Sequence, residues 1–351
     1  MVFDNSKRKK KEPASALSKL KKKFKKANPD LTEGSLVSYA NRILRLRKMF
    51  DPVPNNDYYL NRVPNVVIKK ITDSDMPINS KASIYSAIIV LTTRGAKQRN
   101  GEKMYKKQFD LLTTKIKEDY SKQVKTKVES DRWISSEKIK EARDDLLKKA
   151  IKSDKQIDYL KHLVVSLYSL IPPRRAMDYS DMKINDVRNK KGNTVFRDKK
   201  GSFQRFEFGS FKNVGLKGTQ VFDREFLSKL PNGEEILATL DNWLARNKTQ
   251  FFLLKPYPAN SMVKKIQNIF KTICGKPVNI NTLRHVYISD FLDKAPYLTE
   301  REIVAKFMGH SLSIQEIYRK MPSNKAELPE EVQKGEGIEP IVQAVVDGKE
   351  I

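Results

Sequence analysis

Three short β-type segments, close together in the chain, interrupt a sequence that is otherwise patterned for helices. They are rich in Val, Phe and Thr, they are separated by the turn-forming stretches "KKGS" and "KNVGLKG", and they read "NTVFRD", "FQRFEFGSF" and "TQVFD". This succession predicts a three-stranded antiparallel meander. Helical patterns precede it and resume after it. The sequence therefore predicts a mainly α protein with one small antiparallel β meander, in the α+β class.

The chain before the meander divides into a basic arm and a helical module. Residues 1–28 carry the clusters "KRKKK" and "KLKKKFKK", which predict a disordered arm that is attracted to phosphates. "KRKKK" also fits a nuclear-import signal, so both uses of the arm stay open. A helix begins near Thr32, with apolar residues recurring at spacings of three and four up to Phe50. We predict a small, basic, all-helical module over residues 29–127.

A second, larger domain is predicted over residues 128–322. It opens with "ESDRWISSEKIKEARDDLLKKAIK", where Ser135 or Ser136 is the expected helix cap. The apolar helix "DKQIDYLKHLVVSLYSLI" follows and stops before Pro172 and Pro173. The tail, residues 323–351, changes sign: "AELPEEVQKGEGIEP" is acidic, and "IVQAVV" after it is apolar.

Charge is the strongest global signal of the sequence. The 69 Lys and Arg residues outnumber 42 Asp and Glu residues and give a net charge of +27. So large an excess repels itself unless a polyanion neutralises it, and nucleic acid is the usual polyanion. The single cysteine, Cys274, excludes an intramolecular disulfide and argues against a cysteine zinc site. No apolar run is long enough to span a bilayer or to serve as a secretory signal, so we expect an intracellular protein without membrane contact.

Residues suited to phosphate chemistry occur in three separated boxes. The first is "PPRRAMDYSDMKINDV", which holds Arg175 and Asp178; the second is "NINTLRHVYISDF", which holds Arg284; the third is "KFMGHSLSIQEIYRK". The third box contains His310 and, about two helical turns later, Tyr318. Lys212 and Lys217 flank the turn of the predicted hairpin between the first two boxes.

These residue types suffice for phosphoryl transfer without a metal. Two arginines can bind the non-bridging oxygens of one phosphodiester in the bidentate geometry that lysine lacks. A histidine adds a donor, and a lysine on a hairpin can protonate a leaving oxygen. A tyrosine becomes a nucleophile where its developing phenolate meets positive charge. No acidic cluster typical of a two-metal nuclease is evident in the sequence.

The order of these boxes resembles the tyrosine recombinase (phage-type integrase) family. That family's pattern is Arg-x-x-Glu, a β-hairpin Lys, His-x-x-Arg, Gly-His or Gly-Trp, and Tyr. Here "RAMD" is similar to the first box, "TLRHVYISDF" to the family's "LRHTFAT", and "FMGHSLSIQEIY" to "LGHSSISTTQIY". The match covers roughly residues 130–322, and the "PPRR" context with the lysine-rich composition resembles members from large DNA viruses or their satellites. The helical module then resembles the family's core-binding domain, and the second domain its catalytic domain.

The resemblance assigns a role to each site residue. It implies Tyr318 as the nucleophile, with Arg175, Arg284 and His310 bracing the phosphate. Asp178 stands for the usual Glu as a supporting residue, and Asn281 stands where the family has the first His of His-x-x-Arg. The proton acceptor is then Asp178, His285 or water. Lys212 is preferred as the hairpin lysine, with Lys217, Lys199 and Lys200 as alternatives.

The same resemblance implies the reaction and the partners. A site-specific recombinase or integrase would bind double-stranded DNA, cut it through a 3′-phosphotyrosyl link and rejoin it without cofactor, metal or ATP. Strand exchange implies a homotetramer on two DNA sites, and the tail could dock on a neighbouring protomer. Two other readings stay open: a type IB topoisomerase-like nicking-closing enzyme, and a DNA-binding protein that has lost catalysis.

Overall fold

The computed structural model describes residues 12–321, apart from residues 55, 94–99, 190 and 213. The chain divides into two compact units, Met1–Lys122 and Gln123–Ile351. The cluster "KRKKK" and the predicted tail, residues 323–351, lie outside the described residues. Within the described part of the chain, no helix is both long enough and apolar enough to cross a membrane.

The first unit is built from helices. They are α1 (Glu12–Ala27), α2 (Glu33–Arg47), α3 (Tyr59–Arg62), α4 (Pro64–Thr72), α5 (Ile78–Thr92) and α6 (Asn100–Ser121). Thr32 caps α2, since its hydroxyl accepts a hydrogen bond from the Ser35 main-chain N–H at 3.3 Å. The core of this unit is made of side chains from α1, α2, α4, α5 and α6, such as Ile43, Ile71 and Ile88.

Helix α1 corrects the prediction of a disordered arm over residues 1–28. Leu17, Leu20 and Phe24 follow one another at spacings of three and four, which places them on one face of a helix. Leu20 and Phe24 are buried in the core of the first unit, and the Phe24 ring lies 5.5 Å from the Tyr39 ring. The lysines that suggested disorder occupy the other faces of the helix. Burial of two large apolar side chains therefore outweighs the repulsion between these lysines.

The second unit combines helices with one small sheet. Its elements are α7 (Lys127–Arg132), α8 (Ser136–Ser153), α9 (Gln156–Leu167), α10 (Ala176–Tyr179), β1 (Lys183–Ile184), β2 (Asn193–Arg197), β3 (Phe203–Phe208), α11 (Val214–Lys217), β4 (Gln220–Asp223), α12 (Arg224–Ser228), α13 (Gly233–Arg246), α14 (Ala259–Cys274), α15 (Ile280–Leu292), α16 (Leu298–Met308) and α17 (Leu312–Tyr318). Ser135 caps α8 through a hydrogen bond from the Lys138 N–H. The mainly α architecture with a small sheet confirms the predicted fold class.

The sheet has four strands in the order β1-β2-β3-β4. Strands β2, β3 and β4 form the expected antiparallel meander, in which Phe206 lies opposite both Val195 and Phe222. The prediction of three strands is corrected by β1, which pairs parallel to β2 and makes the sheet mixed. Because β1 contains only two residues, it has no alternation that a sequence pattern could reveal.

Aromatic side chains fill the core between this sheet and the surrounding helices. Phe206 packs against Phe208, Tyr179 and Phe252, with ring centroids 5.6 to 6.2 Å apart. Trp243 of α13 is buried and donates its indole N–H to the Phe252 carbonyl at 2.8 Å. This rigid core carries the segments that hold α10, α15 and α17, on which the predicted site residues lie.

Candidate active site

The two adjacent arginines at the start of α10 have different environments. Arg174 is 1% exposed, and its Nε donates to Asp178 Oδ2 at 2.9 Å. Its guanidinium also binds the Phe307 carbonyl and Gln220 Oε1, and its carbon atom lies 3.8 Å from the centroid of the Phe208 ring. Arg174 is therefore occupied within the core.

Arg175, by contrast, is only partly buried. It precedes the first residue of α10, and its charge acts on both His310 and Arg284, where it lowers the pKa of each. Of the two adjacent arginines, Arg175 is the more accessible to a substrate, and its role at the phosphate stays a prediction.

Arg284 is buried but incompletely hydrogen-bonded. It lies on α15, whose first turn is capped by Asn279, and it is 1% exposed. One terminal nitrogen, Nη1, donates to the Pro173 carbonyl at 2.5 Å, while Nε and Nη2 have no hydrogen-bond partner among the described residues. Buried donors without partners are rare, and on a charged group they are costly. An anion with two oxygens would satisfy both nitrogens.

His310 enters the site after a sharp chain reversal. Gly309 ends α16 with φ of +71°, a left-handed conformation that favours glycine. The His310 Nδ1 lies 3.1 Å from the Ser311 carbonyl, so a neutral ring carries its proton on Nδ1. Burial, assisted by the charges of Arg284, Arg175 and Lys217, lowers the pKa of His310 to about 3.

Tyr318 is the last residue of α17 and lies among these groups. Its ring stacks on the His310 ring, with centroids 5.6 Å apart and planes 19° from parallel. The Arg284 guanidinium carbon lies 4.7 Å from the Tyr318 ring centroid, and the His285 ring lies 5.0 Å away. Helix α17 begins at a Ser311 cap and has seven residues, so the short step from His310 to Tyr318 is long enough to return the tyrosine to the histidine.

The two hairpin lysines differ in whether their charge acts on the residues around Tyr318. Lys212 is exposed in the turn after β3, which ends at Phe208. Lys217 ends α11, the short helix between β3 and β4, and its charge acts on His310. Of these two lysines, the structure thus associates Lys217 with the cluster around Tyr318.

Three residues considered as proton acceptors or supports lie in distinct places. Asp178 is buried, and its carboxylate binds Arg174 rather than Arg175. His285 is buried on α15, with Nδ1 2.8 Å from the main-chain carbonyl of Tyr318. Asn281 is exposed in the first turn of α15. His285 thus interacts with the main chain of the tyrosine, and Asp178 supports the arginine next to the predicted one.

The arrangement is suited to one anionic group next to the tyrosine. Arg284 contributes two unpaired donors, and Arg175 and Lys217 add positive charge that is felt at His310. Fixed cations in a largely buried site stabilise a developing negative charge more strongly than they would in water. The cluster can therefore bind a phosphodiester and stabilise the phenolate of Tyr318 as it forms.

Sequence reasoning missed the lysine and the carboxylate that adjoin the tyrosine segment. Lys320, two residues after Tyr318, is 6% exposed, and its Nζ lies 3.5 Å from Glu129 Oε2. Glu129 carried a recognisable signal, because "TKVE" is a capping box that begins at Thr126. Nothing in the sequence indicates that this helix start adjoins residues almost 200 positions away.

Comparison with solved structures finds similarity to a recombinase. A crystal structure of XerA recombinase aligns with 91% of this chain and 98% of that chain, at 14% sequence identity and a TM-score of 0.36. No protein-family model matches the chain, and no curated protein matches it. The chain is thus similar to a solved recombinase, the class of enzyme that its motifs resemble. Nothing about the roles of its residues follows from an alignment at this TM-score.

Proposed function

We propose that the protein is a site-specific DNA recombinase or integrase that cuts and rejoins double-stranded DNA through Tyr318. The observation that carries the proposal is the environment of this tyrosine. Its ring stacks on the His310 ring and lies 4.7 Å from the Arg284 guanidinium carbon, and two Arg284 donors have no partner among the described residues. A tyrosine next to unsatisfied, buried positive charge is suited to attack on a phosphate.

Substrate binding begins with the DNA backbone. The net charge of +27 attracts DNA, and phosphate contacts from lysines and arginines supply most of the sequence-independent affinity. At the scissile phosphate, Arg284 Nε and Nη2 donate to the non-bridging oxygens, and Arg175 adds a second guanidinium. The negative charge of the phosphate favours a protonated His310, whose Nε2, now 3.2 Å from Met308 Sδ, turns from that sulfur to donate to the phosphate.

The transfer step conserves the number of phosphodiester bonds. The Tyr318 hydroxyl oxygen bonds to phosphorus, and the bond from phosphorus to the 5′ oxygen breaks. The products are a 3′-phosphotyrosyl link and a free 5′-hydroxyl. Asp178 is bound to Arg174, and His285 is bound to the Tyr318 main chain. We therefore assign the phenolic proton to water.

A lysine supplies the proton that the 5′ oxygen takes up. Both Lys212 and Lys217 are exposed, and Lys217 is our choice because its charge acts on His310. The reverse attack by a 5′-hydroxyl from a second duplex rejoins the strands without ATP. Two such exchanges on two DNA sites require four protomers, so we propose a homotetramer on DNA.

The test uses covalent capture, because the target sequence is not known. The protein is incubated with a random-sequence duplex pool, covalent complexes are collected after denaturation, and the attached DNA is sequenced. We expect an adduct that is enriched in one sequence and is lost in Tyr318→Phe, while DNA binding is retained. An undiminished adduct in Tyr318→Phe would reject the nucleophile, and no adduct in the wild-type protein would favour a DNA-binding protein without catalysis.

Strand exchange separates a recombinase from a nicking-closing enzyme. Two duplexes that carry the enriched sequence and different fluorophores are mixed with the protein. A recombinase yields strands that carry both labels. A topoisomerase-like enzyme relaxes supercoiled plasmid but leaves the labels on separate strands.

A further inference from the structure

The segment that opens the second unit contacts the chain on both sides of Tyr318. We call this segment, Gln123–Arg132, the connector. The Gln123 side-chain amide donates to the Glu316 carbonyl at 2.9 Å, two residues before Tyr318. The Gln123 carbonyl accepts the Met321 N–H at 2.8 Å, three residues after Tyr318. The segment that carries the tyrosine is therefore tied to the connector at both ends.

Glu129 is the acidic centre of the connector. Its Oε2 accepts the Thr126 N–H at 2.8 Å in the capping box of α7 and lies 3.5 Å from Lys320 Nζ. Its Oε1 lies 3.8 Å from His285 Nε2. Burial alone would raise the pKa of Glu129, but the hydrogen bonds from Thr126 and the charges of Lys320 and His285 lower it. Glu129 is thus an anion that faces two groups next to Tyr318.

Both groups take part in the attachment of the tyrosine segment to α15. His285 Nδ1 lies 2.8 Å from the Tyr318 carbonyl, so its Nδ1–H donates to that oxygen. The Lys320 main-chain N–H donates to Ser289 Oγ of α15 at 2.8 Å, and its side chain is buried. The negative charge of Glu129 stabilises the Lys320 ammonium 3.5 Å away, whereas His285 Nε2, 3.8 Å from Glu129, carries no proton when the ring is neutral.

We propose that the connector positions the nucleophile, with Glu129 acting through Lys320 to fix the direction of Tyr318. This proposal rests on the function proposed above. Glu129 is a positioning residue, since it contacts neither the phosphate-binding arginines nor the tyrosine ring in the interactions described. A displacement of about 1 Å in a nucleophile costs on the order of 100-fold in rate. Loss of the Glu129 charge should therefore slow the attack without weakening DNA binding.

The first test replaces the charge and keeps the shape. In Glu129→Gln the side chain can still accept from the Thr126 N–H, because glutamine also serves in a capping box. The matched control is Glu225→Gln, which removes an exposed ion pair with Lys229 on α12 of the same unit. We expect the single-turnover rate of adduct formation at saturating DNA to fall 10- to 100-fold in Glu129→Gln, with half-saturation within about twofold of the wild type. Glu225→Gln should match the wild type in both.

A rescue separates positioning from general damage. Lys320→Met should slow adduct formation to the same degree, and Lys320→Arg, which keeps the cation, should restore most of the rate. An unchanged rate in Glu129→Gln would overturn the proposal. An equal loss of rate in Lys320→Met and Lys320→Arg would also overturn it.

A spectroscopic experiment tests the positioning of Tyr318 without requiring adduct formation with DNA. The protein is labelled with 3-fluorotyrosine, and the Tyr318 resonance is assigned by its absence in Tyr318→Phe. We expect this ¹⁹F resonance to shift or broaden in Glu129→Gln and to stay in place in Glu225→Gln. A wild-type protein that forms no adduct would refute the proposed function alone, whereas an unmoved Tyr318 resonance in Glu129→Gln would refute the positioning role alone.

Discussion

The Arg284 guanidinium carbon lies 4.7 Å from the centroid of the Tyr318 ring, and within the described part of the chain only Nη1 of this guanidinium has a hydrogen-bond partner. Burial lowers the pKa of Arg284, and its interaction with Tyr318 opposes that shift. Arginine remains charged even so, because a guanidinium does not lose its proton in proteins. The tyrosine therefore adjoins a fixed cation that is held by the Pro173 carbonyl and has two donors left for a substrate.

Arg284→Lys tests whether those two donors matter. A lysine ammonium keeps the charge but cannot bind Pro173 and two phosphate oxygens in the planar geometry of a guanidinium. We expect adduct formation to slow about 100- to 1,000-fold, as when one donor of an oxyanion site is removed, with little change in DNA affinity. The control is Arg246→Lys, at an exposed arginine that pairs with Asp154. Equal rates for Arg284→Lys and the wild type would exclude bidentate phosphate binding by Arg284.

The neighbouring arginines 174 and 175 should give opposite results. Arg174→Met leaves the buried Asp178 without its cation, and breaking a buried ion pair in this way costs about 3–5 kcal/mol of unfolding free energy. Removing both charges, in Arg174→Met with Asp178→Leu, should recover much of that loss. Arg175→Ala should change stability by less than about 1 kcal/mol and still abolish adduct formation. Urea unfolding and covalent capture measure the two effects.

A result with the roles exchanged would reassign the phosphate-binding arginine. If Arg174→Met kept its stability and lost activity, Arg174 would be the residue that reaches DNA. Fluorescence suits the unfolding measurement, because both tryptophans, Trp133 and Trp243, lie in the second unit and report on it alone.

The fold class was predictable because the local patterns agree with the final structure. Phe206 and Phe208 alternate with polar residues along β3 as a half-buried strand requires, and Thr32 and Ser135 cap the helices that follow them. Helix α1 was missed because its lysines dominate its composition, although Leu20 and Phe24 already mark a buried face. In this segment the spacing of the apolar residues predicts the helix, whereas the density of positive charge wrongly predicts disorder.

The candidate site was only partly predictable from motifs. The adjacency of Arg284, His310 and Tyr318 follows from an order of boxes that spans about 35 residues. The pairing of Asp178 with Arg174 does not follow from the motifs. The sequence has one arginine three residues before Asp178 and another four residues before it, and it does not indicate which of the two forms the ion pair. No sequence pattern indicates that Glu129 and Lys320 are neighbours, because their contact depends on the tertiary fold of the whole second unit.

A bridging-sulfur substrate tests the choice of Lys217 over Lys212. A general acid contributes about 100- to 10,000-fold when the leaving oxygen must be protonated. We expect the Lys217→Ala protein to cleave ordinary DNA more slowly by such a factor. A duplex whose scissile 5′ oxygen is replaced by sulfur should be cleaved at the normal rate, because a thiolate leaves without a proton. Lys212→Ala should match the wild type on both substrates. The reverse pattern would make Lys212 the acid, and failure of sulfur to rescue either variant would remove both lysines from this role.

The three histidines should make the protein acid-sensitive between pH 6.5 and pH 4. Burial lowers the pKa of all three histidines. It falls to about 4 for His162 and to about 3 for His310, and it is also below its ordinary value for His285. The unfolded chain, with a histidine pKa of about 6.5, therefore binds protons in this window that the folded protein does not. Stability must then rise with pH through the window and be lost as the pH falls, by up to about 1.4 kcal/mol per pH unit for each histidine.

His162→Gln is the variant that isolates this effect, because His162 lies on α9 and is not among the residues around Tyr318. We expect tryptophan-monitored urea unfolding to show a shallower dependence on pH between 6.5 and 5 in this variant than in the wild type. Asp178 acts in the opposite direction, since burial raises its pKa, but it is present in both proteins and cancels from the difference. Identical slopes for the two proteins would mean that His162 is protonated in the folded state as readily as in the unfolded chain.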